Sequence, residues 1–291
     1  MIMRTEPEMF DLILTTARTD ARIRAVMMNG SRANPNAPKD FFQDYDIVYF
    51  VTAAAPYTRN LEWIKRFGEL MILQLPDDMA DPPPVDAPSY CYLMQFADGN
   101  RIDLTIWPID KLDAWEADSQ TLILLDKDGL FPGVPPASDR DYLPKPPTAK
   151  QFADCTNEFW WVSPYAAKGL WRGELPYAKH MADHYVREQL DKMLAWYVGI
   201  KTNFQVSPGK GGKYLQRCLE PELYALLLCT YSDADPEHAW EALLAMTELF
   251  RRVAIPVAEH FGYAYPYGDD QRVSAHLHHV RALPRDAREM Y

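Results

Sequence analysis

The sequence predicts an α+β chain: a mixed sheet flanked by helices in an N-terminal domain over residues 1–144, then a C-terminal helical-bundle domain over residues 145–291. Three observations carry this prediction. In the first half, short apolar and β-branched runs closed by turn residues alternate with helical patterns. Over "FPGVPPASDRDYLPKPPT" (131–148) proline density rises and periodicity disappears, as in a linker or a wrapping connection. Beyond that tract the apolar residues recur at i, i+3 and i+4.

Element by element, "EPEMFDLILTTARTD" places apolar side chains on one helical face and predicts a helix over 6–19. "IRAVMMNG" (23–30) reads as a strand ending on the turn signal Asn29-Gly30, and "DIVYFVT" (46–52) as the next strand after the polar loop "SRANPNAPKDFFQ". "YTRNLEWIKRFG" predicts a helix and "LMILQLP" a strand. "SYCYLMQFADGNRIDLTIWP" (89–108) reads as a hairpin turning at Asp98-Gly99-Asn100, where Gly and Asn tolerate the positive φ of a tight turn. In the second half, four long stretches beginning "AKQFADC", "YAKHMAD", "EPELYAL" and "PEHAWEA" are helical, with Pro176, Pro221 and Pro236 near helix starts.

A chain of 291 residues, 48% of them hydrophobic, can fill a sizeable core. It contains no run of about 18 apolar residues, and acidic residues interrupt the N-terminus, so a cytoplasmic protein without a membrane span is expected. The four cysteines, Cys91, Cys155, Cys218 and Cys229, lie far apart without a CxxC pair; they are read as reduced core thiols, neither zinc ligands nor a disulfide framework. The net charge of −11 argues against nucleic acid as the main partner and favours a cationic one.

The chemistry concentrates in three acids. Asp44 and Asp46, in "FFQDYDIVYFV" (41–51), stand two apart and therefore on one face of a strand, directly before a buried apolar run. Asp103 sits between Ile102 and Leu104 on a later strand, a costly place for a carboxylate unless a cation meets it. Three such carboxylates at one sheet edge suit magnesium, which is held by a few carboxylates together with substrate phosphates. Two such ions about 4 Å apart can serve in-line displacement at phosphorus. Gly30 and Ser31, small and directly after a strand, would let a triphosphate approach the backbone.

The pattern of apolar strand, Gly-Ser, spacer, Asp-x-Asp and a third strand acid resembles the polymerase-beta-type nucleotidyltransferase superfamily. Within it, "MNGSRANPNAPKDFFQDYDIVYFV", "FADGNRIDLTIWP", the Trp-rich run from "NEFWWVSPYAAKGLW" to "AWYVGIKTNF", and "GYAYPYGDD" are similar to the aminoglycoside 6-adenylyltransferases, the streptomycin-modifying family. The resemblance covers essentially the whole chain, and the Trp-rich run is more specific than the metal motif.

The resemblance implies a nucleotidyltransferase-type sheet, Asp44 and Asp46 as a magnesium pair, Asp103 as the third carboxylate, and ATP as co-substrate. The implied reaction moves AMP from ATP to the 6-hydroxyl of streptomycin and releases pyrophosphate, at a site in the cleft between the domains. One base must take the hydroxyl proton: Asp103, or an acid of the helical domain, where Glu158 and Asp183 are available. Asp183 is chosen because it lies in the stretch that matches the family most closely, while Lys179 four residues earlier makes a helix-surface ion pair an equally simple reading.

Arg32, Lys168 and Lys179 are the candidates to grip the triphosphate. Phe159, Trp160, Trp161, Tyr165 and Trp171 could line a cleft, but their helical spacing assigns most of them to the core. His180/His184, "SPGKGGK" (207–213) and "HLHH" (276–279) lack the partners or context of a metal or phosphate site. The same sequence also admits another acceptor, or a catalytically silent nucleotide-binding module, although such a module has no need to keep all three carboxylates.

Overall fold

The computed structural model describes residues 2–58, 60–79, 81–82 and 87–291. The chain divides into two units, Met1–Asp141 and Tyr142–Tyr291, and each has its own hydrophobic core.

The first unit opens on α1 (Glu6–Thr19), which starts where the Glu8 carboxylate reaches back 2.7 Å to accept from the Thr5 amide. Met9, Ile13, Thr16 and Ala17 form its buried face. Then come β1 (Ile23–Asn29), the single turn α2 (Gly30–Ala33), β2 (Tyr45–Val51), the single turn α3 (Ala55–Thr58), β3 (Leu70–Gln74), β4 (Tyr90–Phe96), β5 (Arg101–Pro108) and β6 (Leu122–Asp126). The strands make one sheet in the order β3-β4-β5-β2-β1-β6, with every neighbouring pair antiparallel except β2 and β5.

That one parallel pair decides where the chemistry sits. Its register sets Asp46 opposite Asp103 and Ile47 opposite Leu104. Side chains alternate across a strand, so Ile47, Tyr49 and Val51 of β2 and Ile102, Leu104 and Ile106 of β5 fill the core that also takes Met9 and Ile13. The other face of β1 and β2 buries Ala25, Met27, Val48 and Phe50 under Trp115 and Phe131. Asp46 and Asp103 lie at the end of that second face.

One expectation for this unit needs revision, and one strand, β6, is added to it. The predicted helix over "YTRNLEWIKRFG" is two pieces, α3 and a 3-10 helix over Leu61–Phe67; Asn60 caps the second by accepting from the Glu62 amide at 2.9 Å, and Arg59 lies outside the described residues. β6 was not expected at all.

The second unit is helical: α4 (Ala149–Arg172), α5 (Leu175–His180), α6 (Arg187–Thr202), α7 (Leu215–Cys218), α8 (Pro221–Leu228), α9 (Pro236–Phe261) and α10 (Tyr267–Ala282). Thr148 and Gln151 form a reciprocal capping box at the start of α4, and Gly173, at φ 75°, closes it in the left-handed conformation. The core of this unit includes Phe159 and Phe250, whose rings stack at 3.7 Å. The predicted helix over 177–200 is interrupted, since Met181–Val186 winds as a π-helix between α5 and α6. Among the described residues no helix is long and apolar enough to cross a membrane.

The reading of four core thiols holds for Cys155, which is buried, but Cys91 and Cys218 are half-buried and Cys229, at the end of α8, is exposed. The aromatic cluster divides similarly: Phe159 and Trp160 are core, whereas Trp161 is 64% exposed.

Candidate active site

β1 ends at Asn29, opposite Asp46 in the antiparallel register, and the chain turns directly into α2. Gly30 makes that turn at φ 73°, and a β-carbon there would stand 2.3 Å from Asp46 Oδ2. The glycine is needed twice, for its backbone angle and because the carboxylate lies against its Cα. Asn29 is held in turn by the Thr121 hydroxyl, which donates to its Oδ1 at 2.9 Å.

The loop from Ser31 to Asp44 is pinned from inside. Gln43 donates through Nε2 to the Ser31 carbonyl at 3.0 Å, and the Arg32 guanidinium stacks 3.9 Å over Tyr45 while donating to the Gln43 carbonyl at 2.7 Å and to Glu6 at 2.8 Å. Arg32 is therefore engaged as a buried strut of the loop. Its Nε also stands 3.3 Å from the Asp44 carbonyl, so this expected triphosphate ligand lies beside the acid loop.

Arg101 meets the acids instead. Its Nε donates to Asp103 Oδ1 and its Nη2 to Asp103 Oδ2, both at 2.8 Å, and Nε stands 3.7 Å from Asp44 Oδ2. Asp46 makes no ion pair among the described residues. Burial, and then repulsion from Asp103 and Asp44, pushes its carboxyl up to about 6. Asp44 is also raised, first by burial and then by Asp103, with Arg101 opposing.

Among the described residues no three such side chains are drawn in closely enough to hold a metal ion as they stand. Arg101 takes up both oxygens of Asp103 and faces one of Asp44, so two of the three acids already have a cation. The donor set nevertheless fits magnesium: three carboxylates supply hard oxygen ligands, Asp46 and Asp103 on paired strands and Asp44 directly before β2.

The remaining candidates lie in the second unit. Asp183 falls inside the π-helical turn, 3.3 Å from Lys179 Nζ and 4.0 Å from Arg187. Lys179 also donates to the carbonyl and hydroxyl of Ser232, at 3.2 and 3.1 Å. Arg187 is buried, donating to Thr230 Oγ1 and O and stacking 4.0 Å from Tyr231. Asp183 thus sits beside two cations, one of them fixed, in a helical irregularity of a kind frequent at functional sites. Lys168 Nζ lies 4.8 Å over the Tyr165 ring. Glu158 lines a polar depression with Gln151, Asp154, Gln189 and Lys192.

Sequence reasoning passed over Arg101 and Arg187. For Arg101 a signal existed: at i−2 from Asp103 on a strand, it must share that residue's face.

Residues 3–280 match the family model described as streptomycin adenylyltransferase. Aminoglycoside 6-adenylyltransferases from Campylobacter jejuni and Bacillus subtilis (strain 168) are each 40% identical over 270 residues, covering 92% of this chain and 93% and 95% of those proteins. One from Staphylococcus aureus is 35% identical over 266 residues, covering 91% of this chain and 94% of its own length. The crystal structure of an aminoglycoside 6-adenyltransferase from Bacillus subtilis covers 97% of this chain and 100% of that one, at 35% identity and a TM-score of 0.48. The chain belongs to the streptomycin adenylyltransferase family, alongside the aminoglycoside 6-adenylyltransferases.

Proposed function

We propose that this protein transfers AMP from ATP to an aminoglycoside, with the 6-hydroxyl of streptomycin as acceptor, and so inactivates the antibiotic. The observation that supports this most is the pairing of Asp46 with Asp103 across β2 and β5, with Arg101 reaching both Asp103 and Asp44 and the Gly30 backbone against Asp46. The printed names of the relatives support the choice of acceptor class.

In this reading Asp44, Asp46 and Asp103 hold magnesium, which when bound neutralises phosphate charge. Gly30 and Ser31 offer backbone N–H groups and a hydroxyl to the triphosphate. The acceptor hydroxyl attacks the α-phosphorus, a new P–O bond forms, the bond to the β-phosphate breaks and pyrophosphate leaves. Asp183 takes the hydroxyl proton, and Lys179 and Arg187, at 3.3 and 4.0 Å, hold its carboxylate in place. The helical unit supplies the acid-rich, aromatic surface for a polycationic sugar, with Glu158 and Trp161 among its exposed side chains. ATP and magnesium place the reaction in the cytoplasm.

The test is pyrophosphate release from ATP and magnesium with a panel of aminoglycosides. Release with streptomycin, and mass addition of one AMP to it, is the expected result. No release with any acceptor would overturn the enzymatic reading, and release with kanamycin alone would overturn the choice of acceptor. Asp183→Asn should lower kcat by at least about 100-fold; a loss within about tenfold would move the base to Asp103.

A further inference from the structure

Arg101 and Asp103 point to the same face of β5, and the guanidinium uses its fork on both oxygens of that carboxylate. Its Nε faces Asp44 as well. One side chain thus faces two of the three acids, and among the described residues it is the one that forms ion pairs with them. The Arg101 side chain is 39% exposed against 19% for Asp103, so the guanidinium is the more solvent-accessible partner.

We propose that Arg101 is the resident cation of this site: it holds Asp103 and Asp44 in the free protein and must withdraw from them for a divalent ion to bind all three acids. Arg101 therefore sets the metal affinity of the free protein, as a competitor for the same oxygens. The inference rests on the magnesium assignment made above. A purely supporting role for Arg101, in which it only orients Asp103, predicts the opposite sign, because removing the support would weaken metal binding.

Manganese, added alone and counted by electron paramagnetic resonance, is the probe; no nucleotide or turnover is needed. Arg101→Gln should bind it about tenfold more tightly than wild type, the order expected when a half-exposed bidentate competitor is lost and its acid left unpaired. Arg101→Lys, which keeps the charge without the fork, should fall between the two. In the wild-type protein the Nε–H resonance of Arg101, assigned by its absence from Arg101→Lys, should shift when magnesium is added.

Equal or weaker manganese binding by Arg101→Gln, with Asp46→Asn abolishing it, overturns the role of Arg101 and leaves the metal site standing. Binding that Asp46→Asn does not reduce overturns both. Should Arg101→Gln not fold, an Nε–H signal that magnesium leaves unmoved in the wild type overturns the inference.

Discussion

Gly30 and Asp46 are coupled by contact rather than by sequence distance. A β-carbon at position 30 would meet the Asp46 carboxylate at 2.3 Å while the backbone sits at φ +73°, an angle that costs an alanine about 1 kcal/mol. Gly30→Ala is expected to lower kcat/KM for ATP by more than about tenfold with a Tm loss of only a few degrees; unchanged kinetics would show that Asp46 works from another position. The Asp46 carboxyl, raised to about 6 by burial and by its acidic neighbours, gives a pH dependence of defined sign. A raised acid favours the folded state below its ordinary range near 4, and that contribution is lost as pH rises through 6. Metal binding runs the other way, since the ligand must be ionised, so manganese affinity should rise about tenfold between pH 5 and 7. Asp46→Asn should, without metal, melt higher than wild type at pH 7. The three acids were legible in the sequence because charges inside apolar strands stand out. Arg101 was legible only as a neighbour of Asp103 on one strand face; its approach to Asp44 depends on the β2–β5 pairing, which neither run encodes alone.

Among the elements, the legible ones carry their own signals: α1 and α4 have capping boxes, and the β4–β5 hairpin has Asp98-Gly99-Asn100 at its turn. What escaped was set by partners distant in sequence. β6 becomes a strand by pairing with β1 at the sheet's far edge, and β2 runs parallel to β5, a choice that neither run encodes alone. The π-helical turn escaped too, because Met181–Val186 has the same apolar periodicity as the helices on either side. Between α9 and α10, Asp270 accepts from Arg251 at 2.6 and 2.8 Å, from Tyr265 at 2.8 Å and from Ser274 at 3.0 Å. Burial alone would raise this carboxyl, but the Arg251 and then the Tyr265 hydrogen bonds outweigh it and hold it below the usual range. A depressed acid stabilises the fold above its ordinary range near 4 and loses that contribution as pH falls below it. Asp270→Asn should therefore cost about 2–3 kcal/mol at pH 7 by urea melts, and the gap from wild type should close toward pH 2.5. A gap that stays constant with pH would mean that the charge itself contributes nothing.

For the whole molecule, the two substrates of the proposed reaction carry opposite charges, and a chain of net charge −11 treats them oppositely. Long-range attraction raises the encounter rate of a polycationic aminoglycoside, and the same field slows a triphosphate unless magnesium accompanies it. Screening weakens both effects as the Debye length shrinks from about 30 Å at 0.01 M salt to about 8 Å at 0.15 M. Raising salt across that range should thus lower kcat/KM for streptomycin several-fold, while kcat/KM for ATP, measured at saturating magnesium, stays level or rises. An acceptor with fewer positive charges should show a shallower fall than streptomycin. Equal losses for both substrates would indicate a general salt effect on the enzyme, and a flat response for the aminoglycoside would remove electrostatic capture from the account, leaving its selection to short-range contacts with side chains of the helical unit.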